Sequence, residues 1–181
     1  MTLARIVLPA VLFAAASTAL AQSWEVGAGG GFGFYTKKSV TAGSATGEVG
    51  FDNGFAATGW LGNDMHRYIG GEFRYTYRKG DLMVESGGTK ATFGGEAHAI
   101  HYDFLIHAAP RGAKVRPFAA IGAGIKVYRG TGKTQTFQPL SNLVLLSPVT
   151  ETKGLVSVGG GVKFHLTHGI IFRVDVRDYI T

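Results

Sequence analysis

The sequence predicts an all-β chain: a transmembrane, antiparallel, up-and-down β-barrel, eight-stranded in the full protein, with about seven strands present in this chain. Three observations carry that expectation. Apolar residues recur with period two over segments of roughly 10 to 14 residues, the length a tilted strand needs to cross a bilayer. Aromatic residues gather near the segment ends. The connections alternate between tight turns and long polar loops, the asymmetry of barrels that sit in an outer membrane.

The first residues are set apart from the fold. Arg5 supplies a positive charge, an apolar run follows over residues 6–16, and Ala19-Leu20-Ala21 ends it with small-x-small spacing. Residues 1–21 therefore read as a secretory signal cleaved before Gln22, with residues 22–181 as one barrel domain. The apolar run is shorter than the ~20 residues a helical span requires.

Seven segments alternate. In 24–35, Trp24, Val26, Phe32 and Phe34 oppose Glu25 and four glycines. The weakest is 47–61, where Val49, Phe51, Phe55, Ala57 and Leu61 oppose Glu48 and Asp52. In 68–78, Ile69, Gly71, Phe73, Tyr75 and Tyr77 oppose Glu72, Arg74, Thr76 and Arg78. In 97–107, Ile100, Tyr102, Phe104 and Ile106 oppose His101 and Asp103. The clearest is 115–128: Val115, Pro117, Ala119, Ile121, Ala123, Ile125 and Val127 share one parity, with Arg116, Phe118, Ala120, Gly122, Gly124, Lys126 and Tyr128 on the other. In 154–166, Val156, Val158, Val162, Phe164 and Leu166 oppose Ser157, Lys163 and His165. In 169–180, Ile170, Phe172, Val174, Val176 and Ile180 oppose Arg173, Asp175 and Arg177.

Lipid cannot satisfy backbone hydrogen bonds, so a sheet within it must close on itself. The apolar faces then point outward and the charges inward. Trp24, Tyr35, Trp60, Tyr68, Tyr77, Tyr128 and Tyr179 are expected in interfacial girdles. Asn63-Asp64 and residues 110–114 and 167–169 are expected as tight turns, and residues 36–46, 79–91 and 130–153 as long polar loops.

Composition fits this picture. Glycine supplies 28 of the 181 residues, charged residues 17% and hydrophobic ones 45%, and there is no cysteine. The glycines have no G-X-Y period, which excludes collagen, and the apolar content excludes simple disorder. Without cysteine there is no disulfide framework, thiolate metal site or cysteine nucleophile. An eight-stranded barrel has little interior room. Gly27, Gly29, Gly31 and Gly33 on one inward face, with Gly122 and Gly124 on another, are therefore expected to make space for partners such as Arg74, Arg173 and Phe118.

The export signal, the strand pattern, the run from Arg116 through Pro117, Phe118, Ala119, Ala120, Ile121, Gly122 and Ala123 to Gly124, and the closing Phe172-Arg173-Val174-Asp175-Val176-Arg177-Asp178-Tyr179 resemble the small bacterial outer-membrane β-barrel superfamily. That group contains the OmpA transmembrane domain and OmpX-like proteins. The resemblance covers nearly all of residues 22–181 and speaks to fold more than to function. Bacterial single-chain barrels have an even strand number, so a last strand is expected beyond Thr181. In the family that strand ends in an aromatic residue, which Thr181 is not. The alternative is a strand over residues 140–149, although Pro139 and Pro148 bracket it.

Motifs that suggest chemistry are weak. Arg129-Gly130-Thr131-Gly132-Lys133-Thr134 looks like a phosphate loop, but Val127 stands where the full pattern needs glycine. The glycines at 27–33 and 159–161 lack the helix a dinucleotide fold requires. His98 and His101, like His165 and His168, have i, i+3 spacing, which on a strand puts the two on opposite faces and opposes zinc ligation. Some relatives modify lipid A through a His-x-Ser arrangement. The nearest match is His165-Leu166-Thr167, with threonine for serine, an inward His165 and no evident carboxylate.

No catalytic, cofactor-binding or metal-ligating residue is assigned, and no cofactor. Glu25, Glu48, Asp52, Glu72, Arg74, Asp103, Arg116, Lys126, Lys163, Arg173, Asp175 and Arg177 are expected in the lumen as a salt-bridge network, since buried ions must be paired or solvated. The formal net charge is +6. Much of it falls in the lumen or in loops such as Lys37-Lys38 and Arg78-Lys79, which argues against nucleic acid. The expectation is a non-enzymatic outer-membrane barrel acting as a structural envelope component or through loop-mediated surface binding. It would be a monomer whose partners are outer-membrane lipids, lipopolysaccharide and the assembly machinery. A lipid A-modifying enzyme and a narrow porin-like channel are the alternatives.

Overall fold

The computed structural model describes residues 7–12, 24–35, 38–42, 45–86, 89–131 and 150–181. In chain order the strands are β1 (Val7–Leu12), β2 (Trp24–Gly33), β3 (Lys38–Ala42), β4 (Ala45–Phe51), β5 (Gly54–Asn63), β6 (Ile69–Lys79), β7 (Leu82–Ser86), β8 (Thr89–Phe93), β9 (Gly95–His107), β10 (Val115–Gly130), β11 (Thr150–His165) and β12 (Ile171–Ile180). Eight of them form a closed ring, β1-β12-β11-β10-β9-β6-β5-β2, and β3-β4-β7-β8 form a second sheet. Every pairing is antiparallel.

Each of the seven segments read as strands contributes one strand to the ring. Its eighth place is taken by β1, from the stretch read as export signal. β1 pairs with β12 from Val7↔Asp178 to Leu12↔Arg173, but meets β2 only at Ala10↔Gly31 and Val11↔Gly30. That last seam is therefore the thinnest in the ring. The alternative strand over residues 140–149 lies outside the described residues.

The alternation is inside-out, as expected. Ile106 is 62% exposed and Phe32 61%, whereas Arg74, Asp103 and Arg173 are fully buried. Outward side chains meet lipid and inward ones each other, so the protein's core is the polar lumen.

Cross-strand register explains how that lumen is filled. Trp60 stands opposite Gly27, Phe118 opposite Gly161, Asp103 opposite Gly122, His101 opposite Gly124, and Arg177 opposite Gly159. A large side chain thus faces a glycine on the neighbouring strand. At Gly27 a Cβ would fall inside the Trp60 ring, and at Gly33 inside the Arg78 guanidinium. The glycine excess is a packing requirement of a narrow barrel.

Three expectations need correction. Trp60, Tyr179 and Tyr35 are not girdle residues: the first two are 4% and 3% exposed and point into the lumen, Tyr35 lies over the lumenal Arg78, and Tyr128 is half-buried on the inward parity of its own strand. Parity decides the first two, since Trp60 shares a face with Ala56 and Thr58, and Tyr179 with Arg173, Asp175 and Arg177. Second, residues 36–46 and 79–91 are not plain loops. They contribute to two hairpins, β3–β4 and β7–β8, joined edge to edge through β4–β7 from Gly47↔Ser86 to Phe51↔Leu82. Third, segment 47–61 is two strands. The chain breaks at Asp52 and Asn53, where the Asp52 amide donates to the Asp81 carbonyl (2.7 Å) and Asn53 Oδ1 accepts from the Tyr35 amide (3.1 Å). Glu48 therefore belongs to the second sheet, and Asp52 lies between the sheets rather than in the lumen.

The tight turns hold. Residues 64–68, 108–114 and 166–170 join the ring strands at one end, and Gly112 takes the only left-handed glycine conformation among the described residues (φ 87°). By the usual asymmetry this end faces the periplasm and the second sheet faces outward.

Candidate functional site

The chemistry of the chain is concentrated in the lumen, in three tiers. The middle tier is ionic. Arg74 Nε donates to Glu72 (2.8 Å) and its Nη2 to Asp175 (2.8 Å). Arg173 donates to the other oxygen of Glu72 and approaches Asp175 at 2.8 Å. Arg177 donates to Asp103, whose second oxygen lies 2.9 Å from His101 Nδ1. Three carboxylates thus meet three guanidiniums, all at most 1% exposed. Pairing of this kind offsets the cost of removing charge from water. The tier is cross-braced by His101 Nε2 to the Tyr179 hydroxyl (3.2 Å) and by that hydroxyl to Thr76 (3.1 Å).

Two aromatic rings fill the gaps between guanidiniums. The carbons at the centres of the Arg74 and Arg173 guanidiniums lie 5.3 and 5.2 Å from the Trp60 ring centre, and that of Arg173 lies 4.5 Å from Phe118. Such contacts favour a cation over a ring face.

The lower tier is at the tight-turn end. Lys163 Nζ donates to Glu25 (2.5 Å), Trp60 Nε1 to the other Glu25 oxygen (2.9 Å), and Arg116 to Asp64 (2.6 Å). Between these groups lies a cavity of about 250 Å³, whose walls run from Trp24 to Glu72 and include His107 and His165. It ends at the ionic tier.

The upper tier differs. Arg78 stacks on Tyr35, its guanidinium carbon 3.4 Å from the ring centre. Lys126 Nζ lies 5.2 Å from the same ring, 4.8 Å from Tyr128 and 5.9 Å from Tyr179. Burial, opposed by the Arg78 charge, pushes the Tyr35 hydroxyl up to about 12, so it is neutral at physiological pH.

A barrel with apolar strands turned outward and a charge-filled interior is built for a membrane. The family described as outer membrane protein β-barrel domain matches residues 6–181. The chain belongs to that family. Membership bears out the resemblance to small outer-membrane barrels and carries an outer-membrane location. No curated protein matches the chain.

The family's lumen explains most of the residues singled out by sequence. Glu25, Glu72, Arg74, Asp103, Arg116, Lys163, Arg173, Asp175 and Arg177 all join ion pairs. Lys126 reaches the lumen but has no hydrogen-bond partner. His98 and His101 point to opposite faces, as expected: His98 meets the Tyr75 hydroxyl (2.8 Å) on the outer face. His165 lines the lower cavity, while Thr167 lies in the adjoining turn, its hydroxyl accepting from the Gly169 amide (3.4 Å). Residues 132–134 of the phosphate-loop-like run lie outside the described residues. Sequence reasoning missed the bracing role of Tyr179 and the inward Trp60. Parity was the signal for both.

Proposed function

We propose that the protein is a non-enzymatic outer-membrane scaffold whose barrel carries the outer sheet β3-β4-β7-β8 as a surface for binding. The observation that carries this reading is the balanced ionic tier of Glu72, Asp103 and Asp175 with Arg74, Arg173 and Arg177, which fills the lumen at its waist. A filled waist leaves no water path for solutes, and an eight-stranded barrel has little room for one. Among the described residues the outer sheet ends in the unpaired edges of β3 and β8, and a free edge is a template for another strand.

In this reading residues 1–21 direct export and are removed, and the barrel acts as a monomer. Outer-membrane lipids and lipopolysaccharide surround its apolar face, and the envelope's assembly machinery inserts it. Purified protein in planar bilayers tests the reading directly: no conductance steps are expected. Discrete steps would favour the narrow channel, for which the cavity of about 250 Å³ at the tight-turn end is the supporting observation. Lipid A of identical mass with and without the protein, and with His165→Ala, is expected from a barrel that performs no lipid chemistry.

A further inference from the structure

Arg78 and Lys126 depart from the logic of the rest of the lumen. They are 4% and 2% exposed, yet Nε, Nη1 and Nη2 of Arg78 and Nζ of Lys126 have no hydrogen-bond partner. A buried charge without a paired anion is costly, and buried charges are otherwise found paired or ligated. The neighbouring rings supply only part of the compensation, since a ring face attracts a cation but accepts none of its N–H bonds in line. Two of the ring hydroxyls are engaged elsewhere: Tyr128 with Thr181 (3.0 Å), Tyr179 with Thr76 and His101.

Among the described residues, the lumenal carboxylates are already engaged. Glu25, Glu72, Asp103 and Asp175 are held by Lys163, Arg74, Arg173 and Arg177. Asp178 acts on Lys126 electrostatically without a hydrogen bond to it. Residues 132–149, which follow this end of β10, contain no Asp or Glu. The pair is also built into place. Gly33 leaves the volume the Arg78 guanidinium occupies, and Tyr35 covers its face.

We propose that Arg78 and Lys126, caged by Tyr35, Tyr128 and Tyr179 at the outer end of the lumen, form a binding site for an oxyanion, the phosphate or carboxylate group of a small ligand. Arg78 offers a planar fork of donors suited to two oxygens, and Lys126 a point charge. The ionic tier closes it from below.

The test is a titration of the full-length protein in uncharged maltoside micelles, followed through the Arg side-chain Nε–H resonances. Inorganic phosphate is expected to move the Arg78 signal saturably and to leave the ion-paired Arg74, four residues away on β6, unmoved. Lys126→Gln is expected to weaken phosphate binding about tenfold or more, the loss that goes with one charge-assisted hydrogen bond. A second arm replaces phosphate with micelles doped with phosphatidylglycerol. A response there alone assigns the same oxyanion chemistry to a lipid headgroup; a response to free phosphate assigns it to a soluble ligand. A structural role predicts the opposite behaviour. No saturable shift in either arm, or a shift unchanged by Lys126→Gln in a barrel that still migrates as folded on gels, overturns the proposal. A further readout separates the two roles: an unpaired cation destabilises, so Lys126→Met is expected to raise the urea midpoint in phosphate-free buffer, whereas a merely structural Lys126 would lower it.

Discussion

Trp60 and Gly27 stand opposite one another across the β2–β5 ladder, and the indole occupies the space a Cβ on Gly27 would need. The same indole touches two arginines and donates to Glu25 (2.9 Å). Gly27 therefore controls a ring on which both the middle and lower tiers rest.

Gly27→Val is expected to destabilise the barrel by about 1–3 kcal/mol, the usual cost of overpacking a filled interior. Urea unfolding in lipid vesicles measures it. Gly154→Ala is the control, because a Cβ there meets nothing within 4 Å; its midpoint is expected to match the parent. Equal losses in both variants would remove the indole contact as the cause.

Glu72 is bound by Arg74 and Arg173 and lies 3.5 Å from Arg177. Glu72→Gln leaves the arginines in excess inside the membrane and is expected to cost about 3–5 kcal/mol. Adding Arg173→Met restores the charge balance, so the double variant is expected to recover part of that loss. An additive double variant in the same unfolding assay would show that the two residues do not act through their pairing.

Ile121 sits midway along β10, 56% exposed, opposite Phe104 and Val158 on the neighbouring strands. Ile121→Arg is expected to cost about 2–4 kcal/mol in a bilayer, and Val115→Arg, at the rim, about 0–1 kcal/mol. Both are read from folding equilibria in vesicles. A rim variant as damaging as the central one would contradict the depth assignment.

Residues 1–21 meet two descriptions, a cleaved signal and the source of the ring strand Val7–Leu12. One stretch cannot serve both in the same molecule. Mass spectrometry of protein extracted from the membrane is expected to find an N-terminus at Gln22, which gives the ring's eighth place to a strand other than β1. A start at Met1 would keep β1 there.

Period two made the ring legible because each strand is exposed to lipid on one face and charge on the other, so parity alone assigns orientation. Arg74, Asp103 and Arg177 could be placed inside from the sequence without a single contact. Which acid meets which base could not, because the partners Arg74 and Asp175 are far apart in the chain and are brought together by ring closure. The outer hairpins were also opaque: their strands are five to seven residues long and their pairing depends on the neighbouring hairpin. Trp60 shows how composition misleads. A tryptophan near a strand end suggests an interface, but the residues two and four before it, Thr58 and Ala56, mark its face as the inner one.

The outer sheet is continuous with one side of the ring. β3 and β4 lie between β2 and β5 in the chain, β7 and β8 lie between β6 and β9, and those four ring strands are consecutive neighbours. A pulling force applied to the sheet is therefore delivered along four adjacent strands at once. It loads their ladders in shear, with many hydrogen bonds resisting together, rather than peeling one strand from its neighbour. The load path runs through β2, β5, β6 and β9, the strands from which the outer hairpins arise.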